Sequence, residues 1–229
     1  MHDKLLARRY LEHPVGGGFG TESGFRGRLR RALVSQFGHP RGCWGHVAGW
    51  IMAHRRSNIE RNRWTVALLD VRPQDRVLEI GFGPGIAIAA VAERLAGGQV
   101  LGVDHSTVMV HQAARRDARA VADGRVRLVL GDVADVPAEA GPFQKILAVN
   151  AVMFWGEPVL RLRELRARLA PGGTLALTLQ PRAPKATDAD AQRAGEHLVA
   201  QLREAGFAQV RLETLPLRPV NAVCALAVK

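Results

Sequence analysis

Cysteine is scarce in this sequence: Cys43 and Cys224 are far apart and show no Cys-x-x-Cys spacing. This excludes a disulfide framework and a cysteine-based zinc site, so we expect a reducing, cytoplasmic setting. Long hydrophobic runs are also lacking, because no stretch approaches the roughly 18 apolar residues of a membrane-spanning helix. The N-terminus has neither the apolar core nor the cleavage pattern of a signal peptide. With 229 residues and 47% hydrophobic content, the chain is expected to form a soluble domain without metal.

Lysine is scarce as well, since only Lys4, Lys145, Lys185 and Lys229 contribute to the 32 basic residues. The net charge of +11 would suit nucleic acid or an anionic membrane. The arginines, however, are scattered over several predicted helices, which is typical of a solvated surface and disfavours nucleic acid. They concentrate only near the N-terminus, which leaves peripheral membrane contact open. This basic arm contains Arg26, Arg28, Arg30, Arg31 and Arg41, with Arg55, Arg56, Arg61 and Arg63 close behind.

A glycine-rich turn is the most informative stretch of the chain. Residues 77–88 read VLEIGFGPGIAI, an apolar run that breaks into Gly81, Gly83 and Gly85 before apolar residues at helical spacing. This pattern predicts a strand, a tight turn and a helix whose N-terminal amides a ligand can approach. A dinucleotide site would place its third glycine at Ile86, and a P-loop would require Gly-Lys-Ser/Thr, so neither motif is present.

Apolar strands alternate with amphipathic helices along the rest of the chain. Strands are predicted at 77–80, 100–103, 126–130, 145–149, 174–179, 208–213 and 222–228. Helices are predicted at 58–70, 85–96 and 106–122. A further helix starts at Pro158 and has a buried stripe that extends to Leu169, and the last one runs from Asp188 or Asp190 to 205. The first of these has a Ser57/Glu60 capping box and an inward stripe of Ile59, Arg63, Val66 and Leu69. This order predicts an α/β fold with a doubly wound, mostly parallel seven-stranded sheet whose last strand is antiparallel.

Polar side chains follow several of these strands at their carboxyl ends. Asp104 follows the second strand, Asp132 the third and Asn150 the fourth. Ligands of open α/β sheets bind at this edge. A carboxylate at Asp104 can accept hydrogen bonds from the two hydroxyls of a ribose, and Asp132 with the Val133 amide can read an adenine edge. Each aspartate taken alone is more typical of a helix cap or a solvated turn, but successive strand ends that each carry a suitable group favour a ligand site.

The segments VLEIGFGPG, VLGVD, LGDV, LAVN followed by VMFW, and APGGTL have an order and spacing that resemble class I S-adenosylmethionine-dependent methyltransferases over residues 60–229. The resemblance implies a Rossmann-like domain at 57–229, preceded by an N-terminal arm and helical lid at 1–56. It also implies S-adenosylmethionine as cofactor, with Glu79 and the glycine turn at its methionine end, Asp104 at its ribose, Asp132 at its adenine, and Asn150 near the transferred methyl. The predicted cofactor-binding residues are Glu79, Gly81, Phe82, Gly83, Gly85, Asp104, His105, Asp132, Val133 and Asn150.

Large apolar side chains are expected to form the acceptor site. The family commonly covers the strand ends with the N-terminal extension and the loop after the fourth strand. Here these segments supply the predicted acceptor-binding residues Trp44, Trp50, Met153, Phe154 and Trp155. Such a wall suits a small, partly apolar acceptor. The Asn/Asp-Pro-Pro-Tyr/Phe motif of enzymes that methylate amino groups in nucleic acids and proteins is absent, since Asn150-Ala151-Val152-Met153 stands at its place.

The sequence predicts an enzyme that moves a methyl group to N, O or S of a small metabolite, as a monomer or homodimer. Methyl transfer from a sulfonium depends mainly on positioning and requires little acid-base chemistry. The catalytic candidates are Asn150, near the transferred methyl, and His46 and His54, which could accept a proton from a hydroxyl or thiol acceptor. Two alternatives stay open: a phospholipid head-group N-methyltransferase at a membrane surface, and a cofactor-binding protein without turnover.

Overall fold

The computed structural model of the chain describes residues 56–229. The predicted arm and lid, with Trp44, Trp50, His46 and His54, therefore lie outside the described residues. Within them the strands are β1 Arg76–Ile80, β2 Gln99–Asp104, β3 Val126–Leu130, β4 Phe143–Val149, β5 Leu169–Leu179, β6 Gln209–Leu215 and β7 Ala222–Val228. The helices are α1 Arg56–Leu68, α2 Ile86–Ala92, α3 Thr107–Arg116, α4 Ala118–Ala122, α5 Pro158–Arg168 and α6 Asp188–Glu204, with 3-10 turns at Val133–Asp135 and Val152–Phe154.

The strands form one seven-stranded sheet in the order β3-β2-β1-β4-β5-β7-β6. Strands β1 to β5 are parallel, and β7 runs antiparallel between β5 and β6. The predicted α/β fold and its antiparallel last strand are thus confirmed. The short connection between β6 and β7 fixes this pairing, because a parallel crossover needs a dozen or more residues.

Both faces of the sheet are buried, because helices cover each of them. Successive residues of a strand face opposite sides. In β1, Val77 packs in the core beside α1 and α2, whereas Leu78 and Ile80 pack in the core beside α5 and α6. This two-sided burial explains why the parallel strands are nearly continuous apolar runs. Among residues 56–229, no helix has the length and apolar character to cross a membrane.

Two predicted helices differ from the sequence pattern, since one ends early and the other is interrupted. The helix predicted at 85–96 ends at Ala92, because the amides of residues 96–98 bond to the carbonyl of Pro73 instead of continuing the helix. The helix predicted at 106–122 is interrupted at Asp117, whose φ of −107° and ψ of 25° are not helical. Its amide still bonds to Ala113 and its carbonyl accepts from Val121, so α3 and α4 follow one another without a loop.

One other boundary differs from prediction, whereas the start of the last helix agrees with it. Leu169, predicted in the helix before β5, is instead the first residue of β5 and pairs with Phe143 of β4. The strand then continues through Pro171-Gly172-Gly173. Helix α6 begins at Asp188, and its N-cap is Thr187, whose hydroxyl accepts from the amide of Asp190. Thr187 and Asp190 form the reciprocal capping box that stabilises this end.

Helix α1 buries only part of the predicted stripe, since Val66 and Leu69 lie in the core as predicted. The helix already includes Ser57, so the predicted cap at that residue is wrong. Arg63 of the predicted inward stripe is exposed. The buried face carries mostly polar residues, namely Asn58, Arg61, Asn62, Thr65 and Val66. Tertiary hydrogen bonds override the apolar pattern here, as when the Thr65 hydroxyl meets the Thr178 hydroxyl of β5 at 2.7 Å.

Candidate functional site

The carboxyl ends of four parallel strands bring the predicted polar residues to one edge of the sheet. In sheet order this edge carries Asp132 after β3, Asp104 at the end of β2, the glycine turn after β1, and Asn150 after β4. The chain reverses its winding direction between β1 and β4, which is the position where open α/β sheets hold ligands. The fold therefore assembles at one edge the groups that the sequence analysis singled out separately.

The three turn glycines all have positive φ, at 72°, 54° and 79° for Gly81, Gly83 and Gly85. Of the three, only Gly83 faces open space, since a Cβ built there meets no atom of the described residues within 4 Å. At Gly85 such a Cβ would lie 2.8 Å from the Cβ of Ala113 in α3. Gly85 is thus required for helix packing, whereas the bare backbone at Gly83 is accessible to a ligand.

Phe82 projects away from this accessible surface. Its side chain is buried in the core, and a Cβ at Gly102 of β2 would lie 2.8 Å from its ring. The ring therefore anchors the turn to the sheet in the space left by Gly102. Because the side chain is buried in the core, only the backbone of Phe82 is placed to make the predicted cofactor contact.

Asp104 links the glycine turn to the start of α3. Its Oδ2 accepts from the Gly83 amide at 2.8 Å, and its Oδ1 accepts from the Ser106 amide at 2.9 Å. Burial raises the pKa of Asp104, and these two amide bonds oppose the rise. Nδ1 of His105 lies 3.9 Å from Oδ1, on a side chain that is 44% exposed. Each carboxylate oxygen keeps a second lone pair for a further donor.

Glu79 is the penultimate residue of β1 and is fully buried. Both of its carboxyl oxygens lack a hydrogen-bond partner in the described part of the chain. Burial raises the pKa of Glu79 well above its ordinary value, and the nearby charges of Asp104 and Asp117 raise it further. A buried acid without a donor is costly, so this carboxyl is suited to a cationic or hydrogen-bonding ligand.

Asp132 and Val133 follow β3 as predicted. The Asp132 side chain accepts from the Ala134 amide at 2.6 Å and caps the 3-10 turn in a capping box with Asp135. Val133 is buried, whereas Asp132 is exposed. The cap that the sequence analysis weighed against a binding role is therefore present, and it leaves the exposed carboxylate at the sheet edge.

Asn150 has a left-handed backbone, with φ of 53°. Its amide donates to the Thr178 carbonyl and its Oδ1 accepts from the Gln180 amide, both at 2.8 Å. The side-chain Nδ2 is buried and has no acceptor among the described residues. This strained and tightly held residue presents an unused donor beside the glycine turn, which is a common property of ligand-binding positions.

The 3-10 turn after Asn150 carries the apolar residues predicted for the acceptor. Met153 is 38% exposed and Phe154 is 49% exposed, while Trp155 packs partly buried against the core. Trp155 therefore anchors the turn and leaves the other two side chains at the surface.

Arg61, Gln180 and Asp117 were not identified from the sequence, although all three are buried near this edge or below the glycine turn. Gln180 joins Asn150 to helix α1, because its side-chain oxygen accepts from Arg61. A Cβ at Gly85 would lie 3.2 Å from Oδ2 of Asp117. No sequence signal identifies Arg61 or Asp117, because polar side chains in a helical segment are typical of a solvated face. Gln180 follows β5 and belongs to no motif.

Comparisons with known proteins agree with this architecture. A family model described as a methyltransferase domain matches residues 77–173. The uncharacterized methyltransferase YdaC of Bacillus subtilis (strain 168) is 32% identical over 183 residues, which are 80% of this chain and 98% of that protein. A trans-aconitate 2-methyltransferase of Delftia acidovorans is 31% identical over 150 residues, which are 62% of this chain and 52% of that protein.

Among solved structures, the N-methyltransferase NodS from Bradyrhizobium japonicum WM9, in complex with S-adenosyl-L-homocysteine, has the same fold with a TM-score of 0.63. It is 16% identical, and the match covers 87% of this chain and 97% of that structure. The relationship to YdaC extends over nearly the whole of that relative, so the likeness holds in sequence as well as in fold. This chain belongs to the class I S-adenosylmethionine-dependent methyltransferases.

Proposed function

We propose that this methyltransferase acts on a nitrogen, oxygen or sulfur atom of a small, partly apolar acceptor. The observation that carries the proposal is the exposed pair Met153 and Phe154 in the turn after Asn150. Large apolar side chains at a ligand-binding edge favour an acceptor with an apolar part. The trans-aconitate 2-methyltransferase among the relatives is named for a small-molecule acceptor, which supports the same class.

The residues at the sheet edge fit the cofactor that the family uses. Asp104 would accept from the ribose hydroxyls with its remaining lone pairs, and Asp132 with the Val133 amide would read the adenine edge. The open backbone at Gly83 leaves room for close approach, and Glu79 and Asn150 would supply the unpartnered groups toward the methionine end. His105, exposed beside Asp104, would lie at the rim of this site.

The chemistry requires little from acidic or basic side chains. S-adenosylmethionine, when bound, supplies a methyl group on a sulfonium, which is already an activated leaving group. The chain's own residues then need to align the acceptor atom with that methyl and exclude water. Met153, Phe154 and the β4 edge at Asn150 are suited to this positioning and to in-line displacement.

A panel of small acceptors tests the proposal through formation of S-adenosylhomocysteine. Phe154→Ser should raise the KM for an active acceptor by about fivefold to thirtyfold, since an apolar contact contributes about 1–2 kcal/mol. Cofactor affinity should stay unchanged, because Phe154 belongs to the acceptor side. Leu160→Ser is a matched control, since Leu160 is a comparably exposed apolar residue in α5. Equal KM effects from the two variants, or no turnover across broad panels, would contradict the proposal.

A further inference from the structure

Helix α1 holds a buried arginine whose hydrogen-bond partners are neutral side chains. Arg61 is 1% exposed, and its two terminal nitrogens donate to the side-chain oxygens of Gln180 and Asn58. Its Nε has no hydrogen-bond partner among residues 56–229. A guanidinium this deeply buried normally pairs with a carboxylate, because a fixed charge is costly to remove from water.

The described residues give Arg61 no such counter-charge. None of the ion pairs between them includes Arg61. Burial lowers the pKa of Arg61 to about 9, and the positive charge of Arg182 contributes to this decrease. Arg61 therefore keeps a buried positive charge and an unused donor, which a bound anion would balance.

The position of Arg61 indicates which ligand would carry this anion. Gln180, which follows β5, accepts from Arg61 through its side chain and donates its amide to Oδ1 of Asn150. Arg61 is thus joined to the β4 and β5 strand ends, whereas the glycine turn and Asp104 follow β1 and β2. Asn150 lies between the two groups, and its Nδ2 is a second buried donor that finds no acceptor in the described part of the chain. This places Arg61 on the acceptor side of the site.

We propose that Arg61 binds a carboxylate of the methyl acceptor and selects acidic acceptors over neutral ones, which rests on the methyl transfer proposed above. The unpartnered Nε and the forked guanidinium match a planar carboxylate. Gln180 and Asn58 hold the side chain in place until the acid binds. The acceptor then combines an apolar part near Phe154 with an acid group near Arg61.

Thermal melting tests the proposal with matched acids and amides. Benzoate, 4-hydroxybenzoate and hexanoate, with their primary amides as controls, are added to the full chain saturated with S-adenosylhomocysteine. At least one acid should raise the wild-type melting temperature while its amide does not. Arg61→Met should remove this gain and weaken binding of the acid by about tenfold or more. Arg63→Met is the control, since Arg63 is exposed on the opposite face of the same helix and should behave as wild type.

Three outcomes would overturn the proposal. In the first, acids and amides act equally, or none of the three acids binds. In the second, Arg61→Met still responds to the acids. In the third, Arg61→Met weakens S-adenosylhomocysteine but not 5′-methylthioadenosine, which lacks the amino-acid carboxylate, so that Arg61 would hold the cofactor instead.

A structural role would show itself differently. If Arg61 were purely structural, Arg61→Met would melt at a lower temperature without ligand but would still prefer acids to amides. If Arg61 binds the acid, Arg61→Lys should retain part of that preference. The experiment also separates this inference from the proposed function. Turnover of neutral acceptors as fast as acidic ones would contradict only the role of Arg61. Acid binding that depends on Arg61, without methyl transfer to any acceptor, would contradict only the proposed function.

Discussion

Asp104 and Gly83 show how one hydrogen bond links two functions. The Asp104 carboxylate accepts from the Gly83 amide at 2.8 Å, so the acid expected at the ribose also fixes the turn expected near the cofactor. The same carboxylate holds the Ser106 amide at the start of α3. A change at either residue therefore alters both the shape of the turn and the set of groups offered to a ligand.

Replacement of Gly83 by valine should abolish cofactor binding, because the added side chain would fill the open space over the turn. Gly124→Val is a matched control, since Gly124 also has a positive φ, at 80°, and open space around it, but lies in the turn before β3. Both variants should lose about 1–2 kcal/mol of stability from the unfavourable backbone. Calorimetry with S-adenosylhomocysteine separates them. Normal affinity of a folded Gly83→Val would show that no ligand approaches this backbone.

Removal of the Asp104 carboxylate should weaken cofactor binding by about 1–3 kcal/mol, because charge-assisted hydrogen bonds to the ribose are lost. Asp104→Asn tests this with less damage than alanine, since the amide oxygen can still accept one of the two backbone bonds. Asp123→Asn, at an exposed acid before β3, controls for a general change in charge. Unchanged calorimetric affinity of Asp104→Asn would refute the ribose role.

At the scale of elements, two helices depart from their sequence pattern for tertiary reasons. Helix α1 turns a polar face inward because Thr178 and Gln180 offer hydrogen bonds there. Helices α3 and α4 meet at Asp117, beneath Gly85. Oδ2 of Asp117 is buried and has no hydrogen-bond partner within the described range 56–229. Burial raises its pKa to about 6, although Arg116 lowers it and Glu93 adds a smaller rise.

The junction between α3 and α4 should make stability depend on pH. Folded Asp117 keeps its proton up to about pH 6, whereas the unfolded chain loses it near 3.8. The folded state thus binds more protons between these values, and its stability falls as pH rises through this window. Above pH 6, Asp117→Asn should be more stable than wild type by roughly 1 kcal/mol, since water screens part of the effect. The difference should vanish below pH 4.

Urea unfolding at several pH values measures this difference. Asp123→Asn is the control with the opposite sign, because hydrogen bonding from Arg125 lowers the pKa of Asp123. That variant should gain no stability at neutral pH. A stability difference between Asp117→Asn and wild type that does not change with pH would contradict the raised pKa.

At the scale of the whole molecule, the parallel sheet places the candidate binding groups at one edge. Strands β1 to β4 are each followed at the same edge by a group suited to binding, while β7 and β6 extend the sheet on the far side of β5. A ligand that spans several strand ends contacts segments distant in sequence. Binding should therefore stabilise the entire fold and not only one loop.

S-adenosylhomocysteine at about 100 times its dissociation constant should stabilise the chain by about 2.7 kcal/mol through mass action. For a domain of this size the melting temperature should rise by about 5–10 °C. Adenosine at the same concentration is the control for the adenine and ribose contacts alone, and should give a smaller rise. The Gly83→Val variant should show almost none. A rise that this variant shares with wild type would indicate binding at another place.

The sequence by itself determined the order of strands and helices, the antiparallel ending and the glycine turn. These depend on hydrophobic period and on glycine conformation, which are local properties of the chain. It also identified Asp104, Asp132 and Asn150 as a set, because parallel strands bring their carboxyl ends to one edge. Only the tertiary structure decided the inward polar face of α1, the break at Asp117 and the link from Arg61 through Gln180 to Asn150. Arg61 and Gln180 are separated by 119 positions. Their pairing depends on burial and hydrogen bonding in three dimensions, which no periodicity records.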